Sequence, residues 1–159
     1  MPNVIMHIPK CLNLSDGRPS SGEYNKNCIF FCDPIKNNIM LDGDFIRIVY
    51  STQILSLNGI CLKLPFKIIG ISKYYNKCKY EINLTNHELE QIKIIEMDIL
   101  QKINTRGKRP QCNIYDHLLC GYVKTICDCK NEPDSLVLKI SGVWETEMEC
   151  GITYKFITM

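Results

Sequence analysis

Apolar and polar residues alternate most regularly near the end of the chain. Over residues 136–141 the apolar side chains favour one face of an extended strand, and the alternation resumes over 152–157 after a polar stretch at 145–149. A period of two residues is typical of β-strands, so this pattern predicts a terminal hairpin that closes the fold. The hairpin also offers a candidate binding surface, whose side chains are Lys139, Trp144 (the only tryptophan), Tyr154 and Lys155.

The same alternation predicts several strands in the first half of the chain. Turn signals separate them: Asp-Gly-Asp at 42–44, Leu-Asn-Gly at 57–59, and Pro65, which favours an edge or a bend. The predicted strands cover residues 28–32, 39–41, 45–50, 60–71 and 79–84.

The period changes after Thr85. Thr85 and Glu88 have the spacing of a capping box, and apolar residues then recur at helical intervals from Leu89 to Ile103. This pattern predicts a helix over residues 86–103. The ambiguous stretch 112–130 is interpreted as a loop followed by a strand through 118–126.

The predicted order is therefore several strands, one helix, and further strands. This order predicts a mainly β fold, an OB-like antiparallel barrel with a helix between the early strands and the C-terminal hairpin. An unrelated α+β sandwich has the same order and stays open. Residues 1–159 are expected to form a single domain, with residues 1–26 as an N-terminal arm or loop because turn-forming residues cluster there.

Composition narrows the class of protein. Hydrophobic residues make up 45% of the chain, which is enough for a core. No apolar run reaches the roughly 18 residues of a membrane span, and the start of the chain lacks the features of a signal peptide. We therefore expect a soluble, intracellular protein without a membrane partner, in which the ten cysteines are thiols rather than a disulfide framework.

Charge is unevenly distributed, although the net charge is only +2. Residues 61–130 carry twelve Lys/Arg against seven Asp/Glu, whereas residues 131–159 carry two against five. A basic middle can create a local electropositive groove without a high total charge.

The strongest functional constellation combines cations with aromatic rings between residues 66 and 80. Single-stranded nucleic acid needs cations along its phosphates and flat rings under its bases, with stacking worth about 1–3 kcal/mol per base. The alternative is that Phe66 and Tyr80 belong to the core and that the lysines form an ordinary solvated loop. The candidate residues are Lys67, Lys73, Tyr74, Tyr75, Lys77 and Lys79.

A second basic cluster follows the predicted helix. Arg106, Lys108 and Arg109 lie in a short loop where they could hold phosphates or stack on a base. Cations near a helix C-terminus also compensate its dipole, which is the structural alternative. Trp144 and Tyr154 are likewise either stacking platforms or core residues.

Metal binding and catalysis find less support in the sequence. Five metal-ligating side chains occur between residues 112 and 129, but they lack the paired spacing of structural zinc sites. No phosphate-binding loop, nucleophile elbow or metalloprotease motif is present, so we expect neither an enzyme nor a cofactor. The metal candidates are Cys112, His117, Cys120, Cys127 and Cys129.

The hairpin residues Leu136–Glu145 and Cys150–Phe156, together with the capped helix before them, resemble the small single-stranded-DNA-binding proteins of large insect DNA viruses, the baculovirus DNA-binding-protein type. The resemblance implies sequence-independent binding of single-stranded DNA, with RNA as an alternative, in viral replication or recombination. It also implies a homo-oligomer in the host nucleus or at a viral replication site. The competing interpretation is a viral structural or host-interaction protein that binds a protein partner through the same β scaffold.

Overall fold

The computed structural model describes residues 24–36, 43–53, 56–64, 67–103, 107–126 and 136–158. Most of the predicted N-terminal arm and the predicted strand at 39–41 lie outside these residues. Strands make up 55% and helices 25% of the described residues, which confirms the mainly β class. The elements are β1 Ile29–Phe31, β2 Ile35–Lys36, β3 Asp44–Ser51, β4 Ser56–Asn58, β5 Ile60–Lys63, β6 Lys67–Tyr74, β7 Lys77–Asn83, α1 Asn86–Ile103, β8 Arg109–Gln111, α2 Asn113–Leu119, β9 Tyr122–Ile126, β10 Leu136–Glu145 and β11 Glu149–Thr158.

The predicted C-terminal hairpin forms the centre of an eight-stranded sheet, here called the main sheet. β10 pairs with β11 along one edge and, along the other edge, first with β5 and then with β3. β1, β2 and β4 pair with β3. These pairs are antiparallel, as the turn signals predicted, and β8 adds a short parallel pair with β11.

A β-bulge in β10 lies where the strand changes partner from β5 to β3, because Ser141 has no register partner between Ile140 and Gly142. A bulge bends its strand and increases the local twist, which accounts for the curl of the sheet into an OB-like half-barrel. The turn before β5 fits against the bulge: Gly59 has a φ of +84°, and a Cβ there would lie 2.5 Å from the carbonyl oxygen of Ile140.

β6, β7 and β9 form a separate three-stranded antiparallel sheet, here called the small sheet. β6 and β7 make a hairpin with a two-residue turn at Tyr75 and Asn76. The inner side chains of this sheet, including those of Tyr80 and Val123, belong to the same buried core as the main sheet. Tyr80 is therefore a core residue, whereas Phe66 lies outside the described residues.

Helix α1 spans the predicted residues 86–103. Its capping box is formed, because the Thr85 hydroxyl accepts the Glu88 N–H at 3.2 Å and the Glu88 carboxylate accepts the Thr85 N–H at 3.2 Å. Leu89 and Ile92 begin a stripe of apolar side chains that is buried in the core. Neither helix of the described residues is long and apolar enough to cross a membrane.

The structure differs from the prediction in the stretch 112–126, where the short helix α2 precedes β9. Glu96 of α1 is fully buried and accepts the backbone N–H groups of Ile114 at 2.9 Å and Tyr115 at 3.1 Å. The first turn of α2 is thus satisfied by a distant side chain, and Ile114 and Leu118 anchor the helix in the core. Burial raises the pKa of the Glu96 carboxyl, although the two N–H donors act in the opposite direction.

Among the cysteines in the described part of the chain, one is not a thiol. Cys78 is fully buried and disulfide-bonded. The expectation of thiols throughout is therefore wrong at this position, although one bridge is not the framework of a disulfide-stabilised domain. Free thiols are found at Cys28, Cys32, Cys112, Cys120 and Cys150.

Candidate nucleic-acid interface

The outer face of the small sheet brings three of the predicted lysines together. Cys78 and Tyr80 point into the core, so the alternation of β7 directs Lys77 and Lys79 outward. Lys67 of β6 lies on the same side because its register partner is the outward residue Asn83. We call this surface the small-sheet face; it includes Lys67, Ser72, Lys77, Lys79, Glu81, Asn83, Tyr122 and Lys124.

β9 contributes Tyr122 and Lys124, which the sequence did not single out. The ammonium groups of Lys79 and Lys124 lie 4.2 Å and 5.9 Å from the centroid of the Tyr122 ring. The two lysines are directly opposite each other in register. Like charges in this position repel, and the ring compensates part of that repulsion. Glu81 is the one acid of the face, and its carboxylate packs over Gly70.

Tyr75 stands at the tip of the β6–β7 hairpin. Its side chain is fully exposed, with a relative exposure of 105%. Its φ of 51° lies in the left-handed region, which bulky residues rarely occupy. Strained residues of this kind concentrate at functional sites. The exposure excludes the alternative that this ring belongs to the core.

One predicted residue of the same segment, Lys73, does not join the small-sheet face. Lys73 pairs with Cys78, so its side chain leaves β6 on the side opposite to Lys67, where it is exposed. Tyr74 ends β6, and its side chain lies outside the described part of the chain.

The predicted basic loop after α1 is only partly available for a ligand. Lys108 forms an ion pair with Glu145, with 3.1 Å between Nζ and Oε2. Arg109 begins β8, is exposed, and lies beside Glu149 of β11 in register. Arg106 lies outside the described residues. Lys108 is therefore engaged within the protein, and Arg109 is the more accessible cation of the two.

The outer face of the main sheet provides a second basic and aromatic surface. Buried residues such as Ile46 and Val143 point into the core, so the residues that alternate with them point away from it. Four rows of register partners cross the sheet on this side. In one of them, Lys63, Val137 and Ile157, the central Val137 is fully buried, and none of the other three rows contains an acid. We call them the main-sheet face: Phe45, Trp144 and Gly151; Arg47, Gly142 and Thr153; Cys61, Lys139 and Lys155.

Both aromatic rings of the main-sheet face rest on glycines. A Cβ at Gly151 would lie between 2.5 and 2.7 Å from three atoms of the Trp144 indole. A Cβ at Gly142 would lie 2.7 Å from two atoms of the Phe45 ring. Each ring is half-buried, so one part packs on the backbone while another stays accessible. Rings held in this way are suited to stacking on a base.

Cations occupy the two rows that follow the rings on this face. Lys139 and Lys155 are directly opposite each other on β10 and β11, a geometry that puts Cβ atoms about 5 Å apart and destabilises like charges. Arg47 lies in the adjacent row and is exposed. Within the described residues, no carboxylate forms an ion pair with any of these three cations. A phosphate group is the kind of ligand that would neutralise them.

Tyr154 does not share this surface with Trp144, because it lies on the inner side of β11 against α2. Its hydroxyl donates to the carbonyl oxygen of Asn113 at 3.3 Å and lies 3.1 Å from Nδ1 of His117. Burial, and to a lesser degree the charge of Glu96, raises the pKa of Tyr154 to about 12. Tyr154, which was predicted as a possible stacking platform, therefore packs between β11 and α2.

The predicted metal ligands do not converge where the structure describes them. The Sγ of Cys112 lies 3.3 Å from the Sδ of Met97, and the Sγ of Cys120 lies 3.7 Å from the carbonyl oxygen of Asp116. His117 contacts Tyr154 instead of either thiol. Among the described residues, no three His, Cys, Asp or Glu side chains are grouped to hold a metal ion. Cys127 and Cys129 lie outside these residues.

Part of the main-sheet face could have been found in the sequence. Alternation around Ile46 and Ile48 directs Phe45 and Arg47 outward, which is a readable signal. The position of Arg47 beside the hairpin, in contrast, depends on the pairing of β3 with β10, which local patterns do not reveal.

No protein-family model, no curated protein and no solved structure matches this chain.

Proposed function

We propose that this protein binds single-stranded nucleic acid, with DNA as the expected ligand, independently of base sequence. The observation that carries the proposal is the main-sheet face, where Arg47 lies in the row next to Trp144 and Phe45, and the opposed Lys139 and Lys155 lie in the row beyond it. Cations for phosphates and rings for bases are the two requirements of single-strand binding, and OB-like folds bind oligonucleotides on a sheet surface. The resemblance of the C-terminal hairpin to viral single-stranded-DNA-binding proteins supports a role in replication or recombination.

The make-up of the face sets the expected strength of binding. Each phosphate contact to a single strand contributes about 0.7 to the slope of log affinity against log salt. The cations Arg47, Lys139 and Lys155 would therefore give a slope of about 2. Stacking on Trp144 and Phe45 would add about 1–3 kcal/mol per base. Much of the affinity should therefore remain at salt concentrations that abolish purely ionic binding.

The proposal is tested by titrating fluorescent oligo-dT with the protein over a range of salt concentrations. Lys155→Gln should weaken binding to every sequence alike and lower the salt slope by about 0.7. The same substitution removes the repulsion with Lys139, so the free energy of unfolding should rise by about 0.2–1 kcal/mol. Lys93→Gln is the matched control, because this lysine of α1 packs over Tyr115 at 4.8 Å and belongs to neither face.

Trp144 provides an independent measurement. As the only tryptophan of the chain, it should report stacking through a change in its fluorescence when oligo-dT binds. Unchanged Trp144 fluorescence, together with wild-type affinity of Lys155→Gln, would contradict the main-sheet face as the site. Absence of oligonucleotide binding even at low salt would favour the alternative of a protein partner.

A further inference from the structure

The main-sheet face and the small-sheet face are separate surfaces. Ile46 of the main sheet and Tyr80 of the small sheet both belong to one core cluster, and each face is the side of its sheet turned away from that cluster. No strand of the described residues is shared between the two sheets. A ligand on one face therefore leaves the other face accessible.

The two faces repeat the same chemistry. Lys79 opposite Lys124 reproduces on the small sheet the arrangement of Lys139 opposite Lys155 on the main sheet. In both places an unfavourable pair of like charges is retained, and in the small sheet the pair lies beside the Tyr122 ring. A phosphate backbone would relieve the repulsion in each pair.

The composition of the small-sheet face favours a nucleic acid over a protein. Lysine is depleted at the centre of protein interfaces, which are enriched in aromatic and apolar residues. The small-sheet face instead carries Lys67 and Lys77 in addition to the opposed pair. At the end of the same sheet, Tyr75 presents a fully exposed ring on which a base could stack.

We therefore propose that the small-sheet face is a second single-strand site, and that one protein molecule holds two strands at once, one on each face. This inference rests on the proposed function, which supplies the first strand on the main-sheet face. Its consequence is a bridging activity that brings two strands together without contacts between protein molecules.

The test uses two short, non-complementary oligo-dT strands of about 8 nucleotides, within the usual site size of an OB-type surface. One strand carries a donor fluorophore and the other an acceptor. Wild-type protein should bind two strands per chain and produce energy transfer at low protein-to-strand ratios. The transfer should fall in excess protein, where each molecule holds a single strand.

Two double variants separate the faces. Lys79→Gln/Lys124→Gln should bind one strand per chain and lose energy transfer, while the change in Trp144 fluorescence remains. Lys139→Gln/Lys155→Gln should also lose energy transfer, but its residual binding should leave Trp144 fluorescence unchanged. Lys93→Gln should behave as wild type in every measurement.

The outcomes distinguish this inference from the proposed function. Binding of one strand per chain without energy transfer would overturn the second site and leave the proposed function intact. Energy transfer that persists in Lys79→Gln/Lys124→Gln, with a dimeric mass by light scattering, would assign bridging to two copies of the chain and also overturn it. Failure of wild-type protein to bind either strand would refute both proposals.

Discussion

Tyr75 combines two features that folding by itself disfavours. Its ring is fully exposed at the hairpin tip, and its backbone has a φ of 51°. The left-handed conformation costs an L-residue about 1–2 kcal/mol, whereas Asn adopts it more readily. A residue that is suboptimal for the turn, yet aromatic and adjacent to a lysine-rich face, fits a role in binding better than a role in folding.

Tyr75→Asn should therefore separate folding from binding. The free energy of unfolding is expected to rise by about 1 kcal/mol because the turn is relieved of strain. Binding on the small-sheet face should weaken by about 1–3 kcal/mol because one stacking partner is lost. Urea unfolding measures the first effect, and oligo-dT titration in the Lys139→Gln/Lys155→Gln background measures the second. Tyr75→Phe, which keeps the ring, should bind normally; equally strong binding by Tyr75→Asn would show that the ring is not a platform.

Among the elements, those with local signals could be predicted from the sequence. The capping box and apolar spacing placed α1 at residues 86–103, and alternation revealed the C-terminal hairpin. Helix α2 could not be predicted, because the acceptor for its first N–H groups is Glu96, which is 18 residues away from Ile114. The same limit applies to the bulge at Ser141, since its position becomes apparent only when β10 is aligned with β11.

The same distinction between local signals and contacts between distant residues applies to the candidate site. The sequence selected Lys67, Lys77 and Lys79, and alternation along β7 indeed places two of them on one face. Their contact with β9, and the opposition of Lys139 to Lys155, depend on pairing between strands that local periodicity leaves undetermined. The lysines could therefore be identified from the sequence, whereas their arrangement into opposed pairs could not.

The junction of α2 and β11 should make stability depend on pH through His117. Its ring contacts Tyr154, and burial, followed by the charge of Lys124, lowers the pKa of the imidazole from the usual 6.5. The folded state thus favours neutral His117. As the pH falls, the unfolded chain takes up the proton at a higher pH than the folded protein does. The stability that neutral His117 contributes is fully present above pH 6.5 and is lost as the pH falls toward the folded pKa.

His117→Gln should remove this dependence. As the pH is lowered from 6.5, the melting temperature of the wild type should fall relative to that of the variant. Thermal unfolding of both proteins in matched buffers gives the difference. A constant difference across this range would show that His117 has the same pKa in the folded and unfolded states.

At the scale of the whole molecule, the net charge of +2 is too small to attract a polyanion strongly. Binding must then depend on where the charges lie, and in the described residues the two faces each concentrate cations around an opposed lysine pair. Exposed charges more than about 8–10 Å apart are largely screened at physiological salt, so distant acids do not cancel these clusters.

A charge exchange at constant net charge tests this dependence on position. Lys155→Glu combined with Glu90→Lys keeps the net charge at +2 but moves a cation from the main-sheet face to the exposed surface of α1. The new carboxylate lies opposite Lys139 and should pair with it, so the fold is preserved while two phosphate contacts are lost. The salt slope for oligo-dT should fall by about 1.4, and Glu90→Lys alone should bind at least as well as the wild type. If the exchanged protein instead binds with wild-type affinity and slope, attraction depends on total charge and the main-sheet face is not the site.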